Sequence, residues 1–203
     1  MLTYINSDTH FLKHNNVASM RSTLGHALLG LLAREPGTGY DLASRLSRPV
    51  GYFWTAGHSQ IYPELARLAE AGFIRHTVIE GAGPRATKRY RLTAAGRRAL
   101  RTWLLATTPD VDDKEILLRV YSLFVLRPVE AVGVMTSIRE HHERTLEHYR
   151  CAQTTGEPSA AEVAFGPGYT ARATLEWGVT FEQERVRWCD SLIAEITALD
   201  RVR

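Results

Sequence analysis

The stretch Glu80–Tyr90, EGAGPRATKRY, decides how this chain reads. It follows an apolar run, Phe73–Ile79, and contains G-x-G-x-x-A, close to the dinucleotide-binding fingerprint. That fingerprint needs a strand, a glycine turn and then a helix, whose first amides meet the pyrophosphate. Here the glycines lead into TKRYRLT (87–93), which alternates like a strand. Pro84 removes a backbone donor, and no βαβ alternation surrounds the stretch. The fingerprint is therefore rejected. Two short strands joined by a Gly/Pro loop make a β-hairpin. Phe73, Arg75, Thr77 and Ile79 share one face of the first strand, and Ile74, His76 and Val78 the other. In the second, Lys88, Tyr90 and Leu92 alternate with Arg89 and Arg91.

Upstream, the period is helical. Leu24, Ala27, Leu28, Leu31 and Leu32 recur at helix spacing and stop before Pro36-Gly37. Thr38-Gly-Tyr-Asp opens a shorter helix, closed by Pro49 and Gly51. A third helix runs roughly from Ser59 to Ala71, with Ile61, Leu65, Leu68 and Ala69 on its apolar face and Gly72 as its C-terminal cap. Downstream, Thr93-Ala-Ala-Gly begins a helix carrying Leu100, Trp103 and Leu104. The polar, acidic TTPDVDD (107–113) is the best boundary. Asp112 or Asp113 is an N-cap for a helix over Ile116–Leu126. Pro128 suits the first turn of the next helix, which reaches about Thr154. The last helix spans about Thr170–Arg201. Its seam is Leu175, Val179, Glu182, Val186, Cys189, Ile193 and Ile196, widened by Trp177, Phe181, Trp188, Leu192 and Leu199. The expected fold is mainly α. A loose extension (1–20) precedes a winged helix-turn-helix of three helices and a β-hairpin wing (21–107), followed by an all-α region (108–203).

Charge separates the two halves. Residues 1–107 hold 14 Lys/Arg against 6 Asp/Glu, net +8, and residues 108–203 hold 11 against 16, net −5. Within 72–101 there are 8 basic residues and one acid, Glu80. This asymmetry points to a polyanion-binding half joined to a half with another task. The whole, 44% apolar and 23% charged, has a globular balance. No apolar run approaches the ~18 residues of a membrane helix. The polar N-terminus lacks a signal core. Two distant cysteines, Cys151 and Cys189, form no disulfide or metal framework. The expected location is the cytoplasm.

The order of three helices and a hairpin, with this charge, fits double-stranded DNA. The third helix would lie in the major groove and the hairpin would reach phosphates or a minor groove. With Ile61, Leu65 and Leu68 turned inward, Ser59, Gln60, Pro63, Glu64 and Arg67 face away. The candidate DNA contacts are Tyr40, Ser59, Gln60, Tyr62, Pro63 and Arg67 from the helices, and Arg85, Lys88, Arg89 and Arg91 from the wing.

These motifs, G-Y-D-L, I-Y-P-x-L-x-x-L-x-x-x-G-x-I and Y-x-L-T-x-x-G, together span about residues 24–105 and resemble the PadR family of bacterial transcriptional regulators. The resemblance implies a dimeric repressor with an N-terminal winged helix and a C-terminal helical dimerisation region, responsive in several members to small, often aromatic, ligands. The longer C-terminal region is similar to the subfamily with a multi-helix dimerisation domain. An inserted Ala86-Thr87 departs from the family's wing.

A 30-residue amphipathic last helix needs another surface to cover it. A two-fold partner would supply one and would match a palindromic operator. The candidate dimer contacts are Leu175, Val179, Phe181, Val186, Trp188, Cys189, Ile193 and Ile196. Tyr169, Trp177, Phe181 and Trp188 are a candidate aromatic-ligand pocket, since rings stack on flat ligands. HHERTLEH (141–148) falls short of the zinc motif H-E-x-x-H, because Leu146 stands where the second histidine is needed. No metal, cofactor or catalytic constellation is expected. Two readings from other classes stand beside regulation: a winged-helix module for protein contacts, and a small enzyme using Cys151 or the histidines.

Overall fold

A computed structural model describes residues 22–46, 58–79, 87–106, 112–154 and 165–201. The elements in order are α1 (Thr23–Arg34), β1 (Gly37–Thr38), α2 (Gly39–Leu46), α3 (His58–Glu70), β2 (Ile74–Ile79), β3 (Thr87–Leu92), α4 (Ala94–Leu105), α5 (Asp113–Ser122), a 3-10 turn (Leu123–Val125), α6 (Pro128–Thr154) and α7 (Pro167–Arg201). The fold is mainly helical and carries a winged helix, as expected. The extension 1–20 lies outside the described residues.

α1 is the centre of the N-terminal half. Every residue from Gly25 to Leu32 is buried. Its N-cap is Ser22, whose hydroxyl accepts from the Gly25 amide at 3.1 Å. α3 turns Ile61, Leu65 and Leu68 onto this core. It ends in a Schellman motif. The Phe73 amide donates to Leu68 O and the Gly72 amide to Ala69 O, both at 3.0 Å. Gly72 takes the left-handed conformation this requires, at φ 74°.

The hairpin gains a strand that the period did not reveal. β1 pairs antiparallel with β3, giving the sheet order β1-β3-β2. A two-residue strand carries no alternation to read. Along β2 only Ile74 is buried; His76 and Val78, on the same face, are exposed. On β3 Tyr90, opposite His76, is still buried, so the hairpin leaves the core beyond the His76–Tyr90 pair and projects as a wing. The helix expected over Ile116–Leu126 ends at Ser122 and tightens into the 3-10 turn, closed by Leu126 N to Leu123 O at 2.9 Å. Pro128 excludes the α conformation from the residue before it, and the chain tightens ahead of that restriction. The last helix begins at Pro167, three residues before the expected Thr170, because proline fits a first turn.

A knot of hydrogen bonds joins α3, the wing and α4. Thr93 is the N-cap of α4 and its hydroxyl accepts from Gly96 N at 3.0 Å. The same hydroxyl lies 2.9 Å from the Phe73 carbonyl oxygen, which also accepts from Thr93 N at 3.0 Å. Gly96 packs so tightly there that an added Cβ would stand 2.1 Å from that oxygen.

The C-terminal half meets this body through buried polar contacts. Arg119 of α5 is only 4% exposed. It pairs with Glu115 at 2.8 Å and donates to Leu104 O at 3.2 Å and Ala106 O at 2.8 Å, capping the end of α4. Its guanidinium sits over Trp103, and Trp103 stacks on His26 of α1 at 4.3 Å. Arg34 donates to Tyr121 O at 2.7 Å and lies over the Tyr121 and Phe124 rings. Arg101 of α4 is held by Glu130 of α6. Beyond this junction α6 and α7 run antiparallel, shown by contacts at Arg139–Asp190, His142–Glu182 and Tyr149–Gly178.

Gly96→Ala lowers unfolding free energy by ~1–3 kcal/mol or more, read by urea denaturation, because backbone cannot yield as a side-chain tip can. His26 is held down to about pKa 4 by burial and then by the Arg119 charge. Its folded pKa lies below its unfolded value, so its contribution is intact above about pH 6.5 and is lost as pH falls toward 4. The loss amounts to about 3 kcal/mol at most. Urea curves at pH 7, 5.5 and 4.5 should show a shallower acid-side decline for His26→Phe, which keeps a ring against Trp103.

Candidate nucleic-acid interface

The second helix starts from a reciprocal cap. Thr38 N donates to Asp41 Oδ2 at 2.9 Å, and Asp41 N donates to Thr38 Oγ1 at 3.1 Å. The Thr38 amide, donating to the Asp41 carboxyl, is the main reason that carboxyl is held below its usual range. The cap fixes the first turn of α2, where Tyr40 projects, 73% exposed. Tyr62 of α3 lies over Gly39, where an added Cβ would be 2.5 Å from its ring. Glycine there lets the two helices close, and Tyr62 still stands 53% exposed. Ser59, Gln60 and Pro63 are exposed on the first turns of α3. Pro63 has no amide hydrogen for the Ser59 carbonyl, which leaves that acceptor free of its helix bond. Arg67 is exposed and is paired with Glu64. Glu64 does not face away as the spacing predicts. Its side chain is 12% exposed, because Glu64 lies three residues after Ile61 and four before Leu68, on the flank of the buried face.

On the wing, Lys88, Arg89 and Arg91 are exposed. Arg85 lies outside the described residues. The register adds a residue that the sequence reading missed. Arg75 is directly opposite Arg91, and Thr77 is opposite Arg89. One face of the hairpin therefore carries Arg75, Arg89 and Arg91 together, and neither described strand contains an acid. Like charges placed directly opposite destabilise a hairpin unless an anion lies against them. Arg75 became legible only through the pairing, which places it on the face of Arg89 and Arg91.

The last helix presents two stripes. One is covered by the chain itself, with Glu182 and Cys189 buried and Trp188, Ile193 and Ile196 half-buried against the core. Cys189 is thus a correction to the dimer set: it sits fully in the chain's own core, and burial pushes its thiol up to about 11. Leu175, Val179 and Val186 are partly exposed. The second stripe is open, with Trp177 at 64%, Phe181 at 39% and Leu199 at 70% exposure. Trp177 and Phe181 stack at 4.6 Å, and Arg185 lies over Phe181 at 3.9 Å. Tyr169 packs instead with Phe165, about two turns away, and Trp188 turns to the core. The four aromatics do not converge on one pocket.

His142, the histidine of the near-zinc motif, is buried and its Nδ1 lies 2.8 Å from Glu182 Oε2. Burial lowers its pKa against the opposing pull of Glu182. Glu182 also binds Arg185 at 2.5 Å, and Arg185 reaches Asp113 of α5. Among the described residues no cluster of His, Cys, Asp and Glu is placed to hold a metal. No helix among them is long and apolar enough to cross a membrane.

Comparison with known proteins places these features in a family. Residues 28–102 match the profile described as transcriptional regulator PadR-like family, and residues 114–197 match that described as virulence activator alpha C-term. The chain is 32% identical over 177 residues to the negative transcriptional regulator PadR of Bacillus subtilis, covering 85% of this chain and 97% of that one. Similar solved structures include Bacillus subtilis PadR in complex with operator DNA, at 30% identity, 86% and 99% coverage of the two chains and a TM-score of 0.42. The same Bacillus protein is solved in complex with p-coumaric acid, at 29% identity, 86% and 95% coverage and a TM-score of 0.38.

Proposed function

The chain belongs to the PadR-like family of transcriptional regulators, and from that premise we propose that it is a homodimeric repressor of the cytoplasm, released from its operator by a small aromatic effector. Residues 21–107 form the DNA-binding unit and residues 108–203 the dimerising and sensing unit. The observation that carries the reading is the acid-free hairpin face with Arg75 opposite Arg91 and Arg89 beside them. A polyanion laid against such a face removes the like-charge repulsion and releases its own counterions.

Each residue then has a task. Ser59, Gln60 and Arg67 offer donors to base edges in the major groove, with Tyr62 and Pro63 as neighbouring contacts. Tyr40, Arg75, Lys88, Arg89 and Arg91, with Arg85 from the wing loop, bind phosphates and set register. The exposed side of α7 is covered by a second copy, through Leu175, Val179, Phe181 and Val186, and Trp188, Ile193 and Ile196 add only the surface that the chain's own core leaves uncovered. Two copies related by a two-fold axis present two α3 helices to a palindrome. The exposed Trp177–Phe181 step is the surface on which a flat effector stacks, with the Arg185 cation beside it for an acidic group. An effector bound there changes the packing of α7 and so the spacing of the two α3 helices, and half-site mismatch weakens DNA binding.

Fluorescence anisotropy on the chain's own upstream intergenic DNA, against scrambled DNA across a salt series, tests this. The expected result is a preference of ~10³-fold or more, with two protomers per site. Arg89→Ala and Arg75→Thr should weaken all sequences alike and flatten the salt slope by about one unit each. Arg75→Thr should also stabilise the free protein by ~0.2–1 kcal/mol, as a like-charge pair disappears. A protein with no preference at any salt is not an operator-binding repressor. Phenolic acids should quench tryptophan fluorescence and release the DNA. Loss of quenching in Trp177→Phe locates the effector on the step; unchanged quenching places it elsewhere.

A further inference from the structure

Arg67 is held by Glu64 along one particular edge. Its Nε donates to Glu64 Oε2 at 3.0 Å, and its Nη2 donates to Glu64 Oε1. Nε and Nη2 share the side edge of the guanidinium. The adjacent end edge, made of Nη1 and the second Nη2 hydrogen, has no partner among the described residues. That edge is a planar fork of two N–H donors, the shape that grips two acceptors at once. Glu64 is itself anchored: its side chain is largely covered, while the Arg67 side chain is about half exposed. Both line a recess of about 630 Å³ with Ser59, Gln60 and Ser22, at the first turns of α1 and α3. An acceptor that comes to Ser59 and Gln60 is thus within the surface that Arg67 shares.

We infer that Glu64 is a positioning residue for recognition, bracing Arg67 from the side so that its terminal fork meets a two-acceptor group of the DNA. The inference rests on the operator-binding reading above. The matching groups are the O6/N7 edge of a guanine and the paired oxygens of a phosphate. An unbraced arginine samples many rotamers, and the brace removes that entropy before binding. The carboxylate also repels phosphates, so a role in mere attraction has the wrong sign. Its value lies in aim.

The test measures anisotropy on a set of operators, each with one base pair of a half-site changed, for the unaltered protein, Arg67→Ala and Glu64→Gln. A guanine contact gives the unaltered protein a preference of roughly ten- to hundredfold for G·C at one position. Arg67→Ala abolishes it, and Glu64→Gln reduces it by about two- to tenfold at that position alone. A phosphate contact instead gives an equal loss on every operator in both variants, and a flatter salt slope in Arg67→Ala. Either pattern supports the brace, because removing a negative charge by itself would raise affinity for all DNA. The inference is overturned if Glu64→Gln binds every operator as well as or better than the unaltered protein with position preferences intact, or if Arg67→Ala changes nothing. If the unaltered protein discriminates no base at any position, the operator-binding reading falls and the brace with it. Unchanged thermal midpoints in both variants separate these outcomes from loss of fold.

Discussion

The carbonyl oxygen of Phe73 is the point on which the DNA-binding half turns. It accepts from the amide of Thr93 and lies within bonding distance of that residue's hydroxyl, and Gly96 packs directly over it. Phe73 follows the Schellman turn that ends α3, Thr93 follows β3, and Gly96 lies in the first turn of α4. One backbone oxygen thus ties the end of the recognition helix to the base of the wing and the start of α4. It holds α3 and the hairpin together at one point, which on the proposed reading joins a major-groove element to a phosphate-binding one. Local signals agree with the tertiary contact here, since a helix stop, a strand end and an N-cap all fall at the same place.

A second constraint joins the two halves. Arg119 is a buried cation, and burial of an unpaired charge is costly. Its carboxylate partner and two backbone carbonyls offset that cost, and its position over Trp103 brings it to His26 in the centre of α1. Arg34 and the Arg101–Glu130 pair add contacts across the same boundary. The winged helix therefore does not hang on a tether. Residues of α5 and α6 also share one apolar core with α1 and α4, so directed polar contacts and apolar packing together join the two halves. The chain from His142 through Glu182 and Arg185 to Asp113 brings α6 and α7 into the same polar framework.

The elements with a strong period or a stop signal were legible in the sequence. The apolar spacing of α1 and α3, the Gly72 cap, Asp112 as N-cap and the rejection of a phosphate loop all hold, since each depends on neighbours within one turn or one strand. What was not legible depends on pairing across distance. Two-residue β1 has no period. Arg75 joins Arg89 and Arg91 only when the register is known. Glu64 reads as an outward charge but lies on the flank of the buried face between Ile61 and Leu68, and Cys189 reads as partner surface until the chain's own core covers it. The spacing of the aromatic residues of α7 suggests one ligand pocket. Helical rotation then separates them, with Trp177 beside Phe181 and Trp188 against the core.

The opposed arginines of the wing make the free protein and the bound protein respond in opposite ways to the same ions. Added salt screens Arg75 from Arg91 and relaxes the unbound hairpin, while it weakens the hold on phosphates. On the proposed reading, stability of the free chain and grip on DNA are thus set against each other in one pair of side chains.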